Sequence, residues 1–438
     1  MKHRIGIFLA TTIVTFFHTS SSAMDLIQTL DLARDRDIQL MIARNQLDSV
    51  RYILPQAQSA NKPQIDLGAN ATFQDSGNTL TTDDEQNIAG LSLSLSQNLY
   101  NAETFAQSNA AEANIFKAEA DFKSAQQDLI IRASEAYFLI LSTQDSVEFV
   151  GAEKNAIGRQ LEQAKKRFEV GLIAITDVKE AQASYDFALF QVVIADNDLV
   201  NAREALQLII GQPVSSEELI PLGEKVELVI PEPASRSAWV EQAQKNNLNI
   251  TSAQAGLQVA NENRQIAKSG RKPTIDLVAN YRANAIDSNV SGSFDTDDLT
   301  LSVRLDIPLY TGGRTSAAIS QAEADYAAAQ NNLYLQKRLT NQQTRNAYLA
   351  VVSGIEQVRA LKQAVISTKA ALEATEAGFD VGTRTSVDVL DSLRETFRSK
   401  RDYASARYLY LINTLRLKQA AGLLSENDIP AINQWLSR

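Results

Sequence analysis

Asn61 to Asn70 reads NKPQIDLGAN, and Arg271 to Asn280 reads RKPTIDLVAN: seven identities in ten positions, 210 residues apart. Downstream, Phe168-Glu169-Val170-Gly171 is echoed by Phe379-Asp380-Val381-Gly382, and Thr176-Asp177-Val178 by Val387-Asp388-Val389, now 211 residues apart. Self-similarity over this distance means that one supersecondary plan is used twice. The shift from 210 to 211 falls between the Tyr100/Tyr310 and Tyr137/Tyr348 pairs, which places a one-residue insertion or deletion near Gly312-Gly313.

The repeated segment opens on an alternating run. Ile65, Leu67, Ala69, Ala71 and Phe73 interleave with polar or small residues, as do Leu91, Leu93 and Leu95. The second copy has Ile275, Leu277, Ala279 and Tyr281, then Leu299, Leu301, Val303, Leu305 and Ile307. Period-two alternation predicts strands with one apolar face. A half-buried soluble sheet gives the same pattern, but runs of this length with Ser, Thr, Asn, Asp and Arg opposite also suit a tilted strand crossing a bilayer. Tyr100 and Tyr310 are expected to close the second and fourth runs. The segments 75–89 and 286–298, with their Asp, Ser, Asn and Gly residues, are expected to be solvated loops.

The remainder is helical in character. Ala102 to Phe168 and Arg314 to Phe379 lack proline and are rich in Ala, Gln, Glu and Lys, so each predicts a helix of about 100 Å. Short turns at 169–174 and 380–385 follow, and then second helical stretches over 175–210 and 386–421. Gly171 and Gly382 suit the turns because they accept positive φ, and residues near Thr176 and Ser386 are expected to cap the returning helices. Shorter helices over 26–60 and 237–270 should each break once, near Asp37 and Asn247. The organisation is therefore a first repeat over 24–212, an inter-repeat loop over 213–233 rich in proline, a second repeat over 234–422 and a tail over 423–438.

Met1 to Ala23, with Lys2 and Arg4 before an apolar stretch and Ser21-Ser22-Ala23 at its end, has the pattern of a secretory signal peptide. Without it, 40 basic residues face 52 acidic ones, so nucleic acid is not an expected partner. The chain has no cysteine, and its two histidines, His3 and His18, lie in that segment. Lipid attachment, disulfides, thiol or imidazole catalysis and the common zinc sites are therefore not expected. No nucleophile motif or phosphate-binding loop is present, so neither enzymatic activity nor a cofactor is expected. No apolar run outside the first segment reaches the length of a transmembrane helix, so a membrane role requires a barrel.

Four strands cannot close around an open lumen, and two chains would give a filled barrel, whereas a C3 trimer would supply twelve strands and a channel. The fold class expected is mainly α with a membrane β part. Internally duplicated hairpins would form a trimeric α-barrel, with four strands per chain entering a shared 12-stranded β-barrel. Two other readings stay open: a periplasmic adaptor, which predicts one hairpin and a separate β-domain, and a coiled-coil scaffold, which leaves the strands unexplained.

Three stretches carry a resemblance to a known family: 168–178 (FEVGLIAITDV), 381–391 (VGTRTSVDVLD) and 407–413 (RYLYLIN). They resemble the TolC family of outer-membrane channel proteins. The resemblance implies a homotrimeric exit duct in the outer membrane of a Gram-negative bacterium, extending into the periplasm. It further implies a periplasmic adaptor and an inner-membrane ABC- or RND-type pump as partners, with drugs or proteins as cargo. By the same resemblance Asp388 and Asp391 match acidic rings at the periplasmic gate. Arg384, Thr176, Asp177 and Phe379 match its latch, and the Gly171 and Gly382 turns match the adaptor-docking tips. Asp388 and Asp391 also simply suit a helix N-terminus. Phe379 departs from the family pattern, which has a tyrosine there, so its hydroxyl bond to Asp177 is missing.

Overall fold

The computed structural model describes residues 23–76, 84–215, 219–223 and 225–437. Residues 1–22 of the expected signal segment 1–23, and residues 77–83 of the first expected loop, Asp83 among them, lie outside the described residues. Two copies of a helix–strand–strand–helical hairpin plan follow one another. The first comprises α1 (Leu26–Arg36), α2 (Ile38–Arg51), α3 (Ile53–Ser59), β1 (Gln64–Ser76), β2 (Asp84–Asn101), α4 (Ala102–Glu169) and α5 (Ile175–Ile210). The second comprises α6 (Arg236–Asn246), α7 (Leu248–Ser269), β3 (Thr274–Ser288), β4 (Gly292–Asp306), α8 (Arg314–Asp380) and α9 (Ser386–Ala420). A 3-10 turn over Glu426–Asp428 and α10 (Ile429–Asn433) end the chain.

The four strands form one antiparallel sheet in the order β1-β2-β3-β4, so β1 and β4 each keep one edge unpaired within the chain. Register puts like with like. Leu67 faces Leu93, Leu93 faces Tyr281 and Tyr281 faces Leu299; one row on, Ile65, Leu95, Ala279 and Leu301 align. The intervening row is Asp66, Ser94, Asn280 and Thr300. One face is therefore apolar across all four strands and the other polar. The apolar face is not covered: Leu67 is 77% and Leu301 71% exposed.

Two expectations about this sheet are corrected. The described residues of the first expected loop, 75–76 and 84–89, are strand, and so are 286–288 and 292–298 of the second, because backbone pairing carries β2, β3 and β4 through their polar residues, with a turn over 289–291. The Ser288 hydroxyl accepts from the N–H groups of Val290 and Ser291, which closes that turn. Tyr100 lies in β2, but Tyr310 lies beyond β4 and is 90% exposed. β4 stops at Asp306 because its neighbour β3 begins opposite, at Thr274.

α4 and α8 are 68 and 67 residues long, about 100 Å each at the helical rise. Helices of this length cannot bury a stripe on themselves, and their buried positions are dominated by small and β-branched residues facing neighbouring helices. The main core lies midway along, where Tyr137, Phe138, Tyr408, Tyr410, Leu411 and Ile355 are almost fully buried. The inter-repeat loop straps this core. The Tyr137 hydroxyl donates to the Ile220 carbonyl at 2.8 Å, the Tyr410 hydroxyl exchanges bonds with the backbone of Val229, and Arg407 donates to the Gly223 carbonyl.

α1 and α2 break at Asp37, and α6 and α7 at Asn247; each residue ends one helix and its side chain accepts N–H bonds that start the next. The further break after Arg51, before α3, was not expected. Pro55 in the first turn of α3 has no N–H to continue the α2 ladder, which accounts for it.

Candidate functional site

Both hairpins turn at the same end of the molecule, held by a second core cluster. Ile157 and Leu161 of α4, Val178 and Ala181 of α5, and Leu390 and Leu393 of α9 are buried together there, with Leu372 of α8 at the margin. The two turns have glycines at left-handed φ, Gly171 at 77° and Gly382 at 81°. In the first, the Gly171 N–H donates to Phe168 and the Leu172 N–H to Arg167. In the second, the Gly378 carbonyl accepts from the N–H groups of Thr383 and Arg384 and from the Thr383 hydroxyl.

Caps differ between the two returning helices. α9 has a capping box: the Asp388 N–H donates to the Thr385 hydroxyl at 3.2 Å and the Thr385 N–H to the Asp388 carboxylate at 2.9 Å. The capping residue near Ser386 is thus its neighbour Thr385. α5 is capped by no side chain, because its N-cap is Ala174; Thr176 already lies inside the helix and does not cap it.

Asp388 and Asp391 sit one turn apart at the start of α9. The Thr385 backbone N–H and then its hydroxyl, with a smaller contribution from the Arg384 charge, hold the Asp388 carboxyl below the usual carboxylate range. Asp391 is exposed and pairs loosely with Arg394 at 3.4 Å. Among the described residues no cluster of three His, Cys, Asp or Glu side chains is placed to hold a metal ion.

Arg384 is exposed, and its aliphatic stem lies across Gly378, where an added Cβ would come within 2.8 Å of its Cγ. Thr176 is exposed and Asp177 half-buried on the neighbouring hairpin. Among the described residues of this one chain, Arg384 makes no side-chain hydrogen bond to Thr176 or Asp177. Phe379 is turned instead towards the first hairpin, where the Arg167 guanidinium lies 4.3 Å from its ring centroid. Arg167 also pairs with Asp380 at 3.4 Å. Neither Arg167 nor Gly378 was singled out in the sequence; each lies inside a helix, and only the fold shows what it meets.

The family described as Outer membrane efflux protein matches residues 29–212 and 239–423, one match per repeat. Outer membrane protein TolC of Vibrio cholerae is 39% identical over 440 residues, covering 100% of this chain and 99% of that one. Proteases secretion protein PrtF of Dickeya chrysanthemi is 26% identical, covering 98% of this chain and 94% of that one. Among solved structures, the Campylobacter jejuni CmeC outer membrane channel shares the fold with a TM-score of 0.79 at 16% identity, covering 99% of this chain and 98% of that one.

Proposed function

Because the chain belongs to the outer membrane efflux protein family, we propose that it is the outer-membrane exit duct for efflux and type I secretion, a passive conduit rather than an enzyme. The observation that carries this reading is the sheet: four strands with a continuous exposed apolar face, a polar opposite face and two open edges. An apolar face of this extent needs a covering, and strands long enough to cross a bilayer with lumen-like residues opposite are covered by lipid. Among the described residues no helix is long and apolar enough to cross a membrane.

The free edges of β1 and β4 support a ring assembly. A strand edge inside a membrane must be paired, so β4 of one chain pairs with β1 of the next until the ring closes. Three chains close a twelve-stranded barrel wide enough for water, continued by a tube of six helical hairpins about 100 Å long. Cargo comes from an inner-membrane pump of the ABC or RND type through a periplasmic adaptor that docks on the Gly171 and Gly382 tips. The partner supplies the energy. At the tip, three copies of Asp388 and Asp391 place six carboxylates around the axis, an entrance that favours cations. Arg384, Thr176 and Asp177 latch adjacent protomers.

Cross-linking of the full-length chain and planar-bilayer conductance test this reading together. Outer-membrane trimers that conduct are expected; a monomer recovered from the soluble or inner-membrane fraction overturns the reading and favours a scaffold or adaptor.

A further inference from the structure

We propose that Arg167 is a clamp that holds the end of the second hairpin to the first within each protomer, and that the tip opens only when Arg167 leaves Phe379 and Asp380. The proposal rests on the exit-duct reading and adds to it a residue outside the latch. Three ion pairs among the described residues join the first hairpin to the second: Arg416–Glu135, Arg401–Glu153 and Arg167–Asp380. Only the last lies within a turn of the tip.

Its position suits release. The buried cluster at this end reaches α8 at Leu372, about two helical turns before the helix ends at Asp380. Over those two turns, the polar and ring contacts of α8 with the first hairpin among the described residues are those of Arg167. Directly after them come Arg384, Asp388 and Asp391, so a contact made or lost here acts on the part of the candidate gate that the second hairpin carries.

The chemistry fits arginine specifically. Its guanidinium carbon lies 4.3 Å from the Phe379 ring centroid while an N–H of the same group reaches the Asp380 carboxylate at 3.4 Å, a double engagement that suits a broad, forked cation better than the compact ammonium of lysine. A phenyl ring serves as the cation's partner without a hydroxyl, so Phe379 has a role here that does not need the bond to Asp177. Asp380 is 69% exposed, which keeps the clamp weak, screened by salt and reversible. Lys166, next in sequence, pairs with Glu162 on its own helix and does not cross.

The test compares full-length trimers in planar bilayers. Arg167→Gln is expected to raise the open fraction on the order of tenfold when all three protomers lose the contact, with Arg167→Lys in between. Phe379→Leu is expected to raise it in the parent chain and to add nothing in the Arg167→Gln background, since both remove one interaction. Asp380→Asn provides a milder variant should Arg167→Gln fail to assemble. Arg167→Gln and Asp380→Asn trimers that conduct like the parent, or fully additive effects of Arg167→Gln and Phe379→Leu, overturn the clamp while leaving the duct intact. A parent trimer that does not conduct overturns the duct reading itself.

Discussion

Arg132 of α4 donates two hydrogen bonds, of 2.9 and 2.8 Å, to the carboxylate of Asp37, the residue at which α1 ends and α2 begins. One buried carboxylate thus caps α2 and ties the break between two short helices to the long one. Burial pushes the Asp37 carboxyl up, but the bonds from Arg132 and Leu40 outweigh it and hold it below the usual range. Asp37→Ala removes the cap and leaves the guanidinium without its partner. With Arg132 itself 29% exposed, the expected cost is at the low end for a buried pair, about 3 kcal/mol, read as a lower denaturant midpoint. Because the folded pKa is depressed, this stabilisation is complete above the unfolded value of about 4 and is lost as pH falls below it.

Asp145 has the opposite sign. Burial raises its carboxyl, opposed by the 2.8 Å bond donated by the Tyr408 hydroxyl. A carboxyl whose folded pKa is raised takes up protons more readily in the folded chain. Its ionisation therefore costs stability above the unfolded pKa of about 4, and that penalty is complete once pH has passed the folded value. Asp145→Asn should flatten this part of the stability–pH curve, with Tm measured from pH 4 to pH 8. Tyr408→Phe leaves the carboxylate buried without its donor and should destabilise by about 1–3 kcal/mol at neutral pH.

What the sequence made readable is what short-range chemistry decides. Alternation announced the strands, Gly171 and Gly382 announced the turns, and Asp37 and Asn247 announced the helix breaks, because each of these needs only its immediate neighbours. Tyr310 was misplaced because a strand's end depends on its partner: β4 stops where β3 begins, more than thirty residues earlier in the chain. The strand residues at 84–89, 286–288 and 292–298 depart from the expected loops for a related reason, since polar residues still pair along a ladder when the neighbouring strand runs beside them. At the tip, Arg167 and Phe379 lie 212 residues apart, and no local pattern predicts that a cation and a ring from two repeats will meet.

The sheet's two faces respond differently to charge. Leu301 is on the exposed apolar face and Ser302 on the polar one, so the two are adjacent in sequence and opposite in environment. Leu301→Arg is expected to cost about 2–4 kcal/mol near the bilayer midplane, while Ser302→Arg leaves membrane insertion intact. The measurement is the yield of heat-modifiable trimer after folding into lipid vesicles; equal yields for the two variants would remove lipid as the cover of that face.

Asp388 has two duties to separate. In the protomer its carboxylate closes the capping box with Thr385, and in the duct proposed above it would face the entrance with Asp391. The double variant Asp388→Asn, Asp391→Asn keeps an acceptor for the cap while removing six charges per trimer. Block of conductance by trivalent cations added on the tip side should weaken by at least about tenfold. Unchanged block would leave the two residues as helix N-terminal acids with no part in the entrance.

Among the described residues of one chain Arg384 makes no side-chain bond to Thr176, and the latch proposed above pairs them between adjacent protomers. The stem of Arg384 lies over Gly378, and the residue is exposed. Arg384→Ser should therefore raise conductance, and Thr176→Val, which keeps volume and removes the acceptor, should raise it in the same way but less. Gly378→Ala gives an independent check, since the added Cβ displaces the Arg384 stem without touching any charge and should also loosen the closed state. Three variants acting through one contact should not add when combined. If Arg384→Ser conducts like the parent chain, the arginine is a surface residue, and closure must rest on the buried cluster around Leu390 and Leu393 and on Arg167.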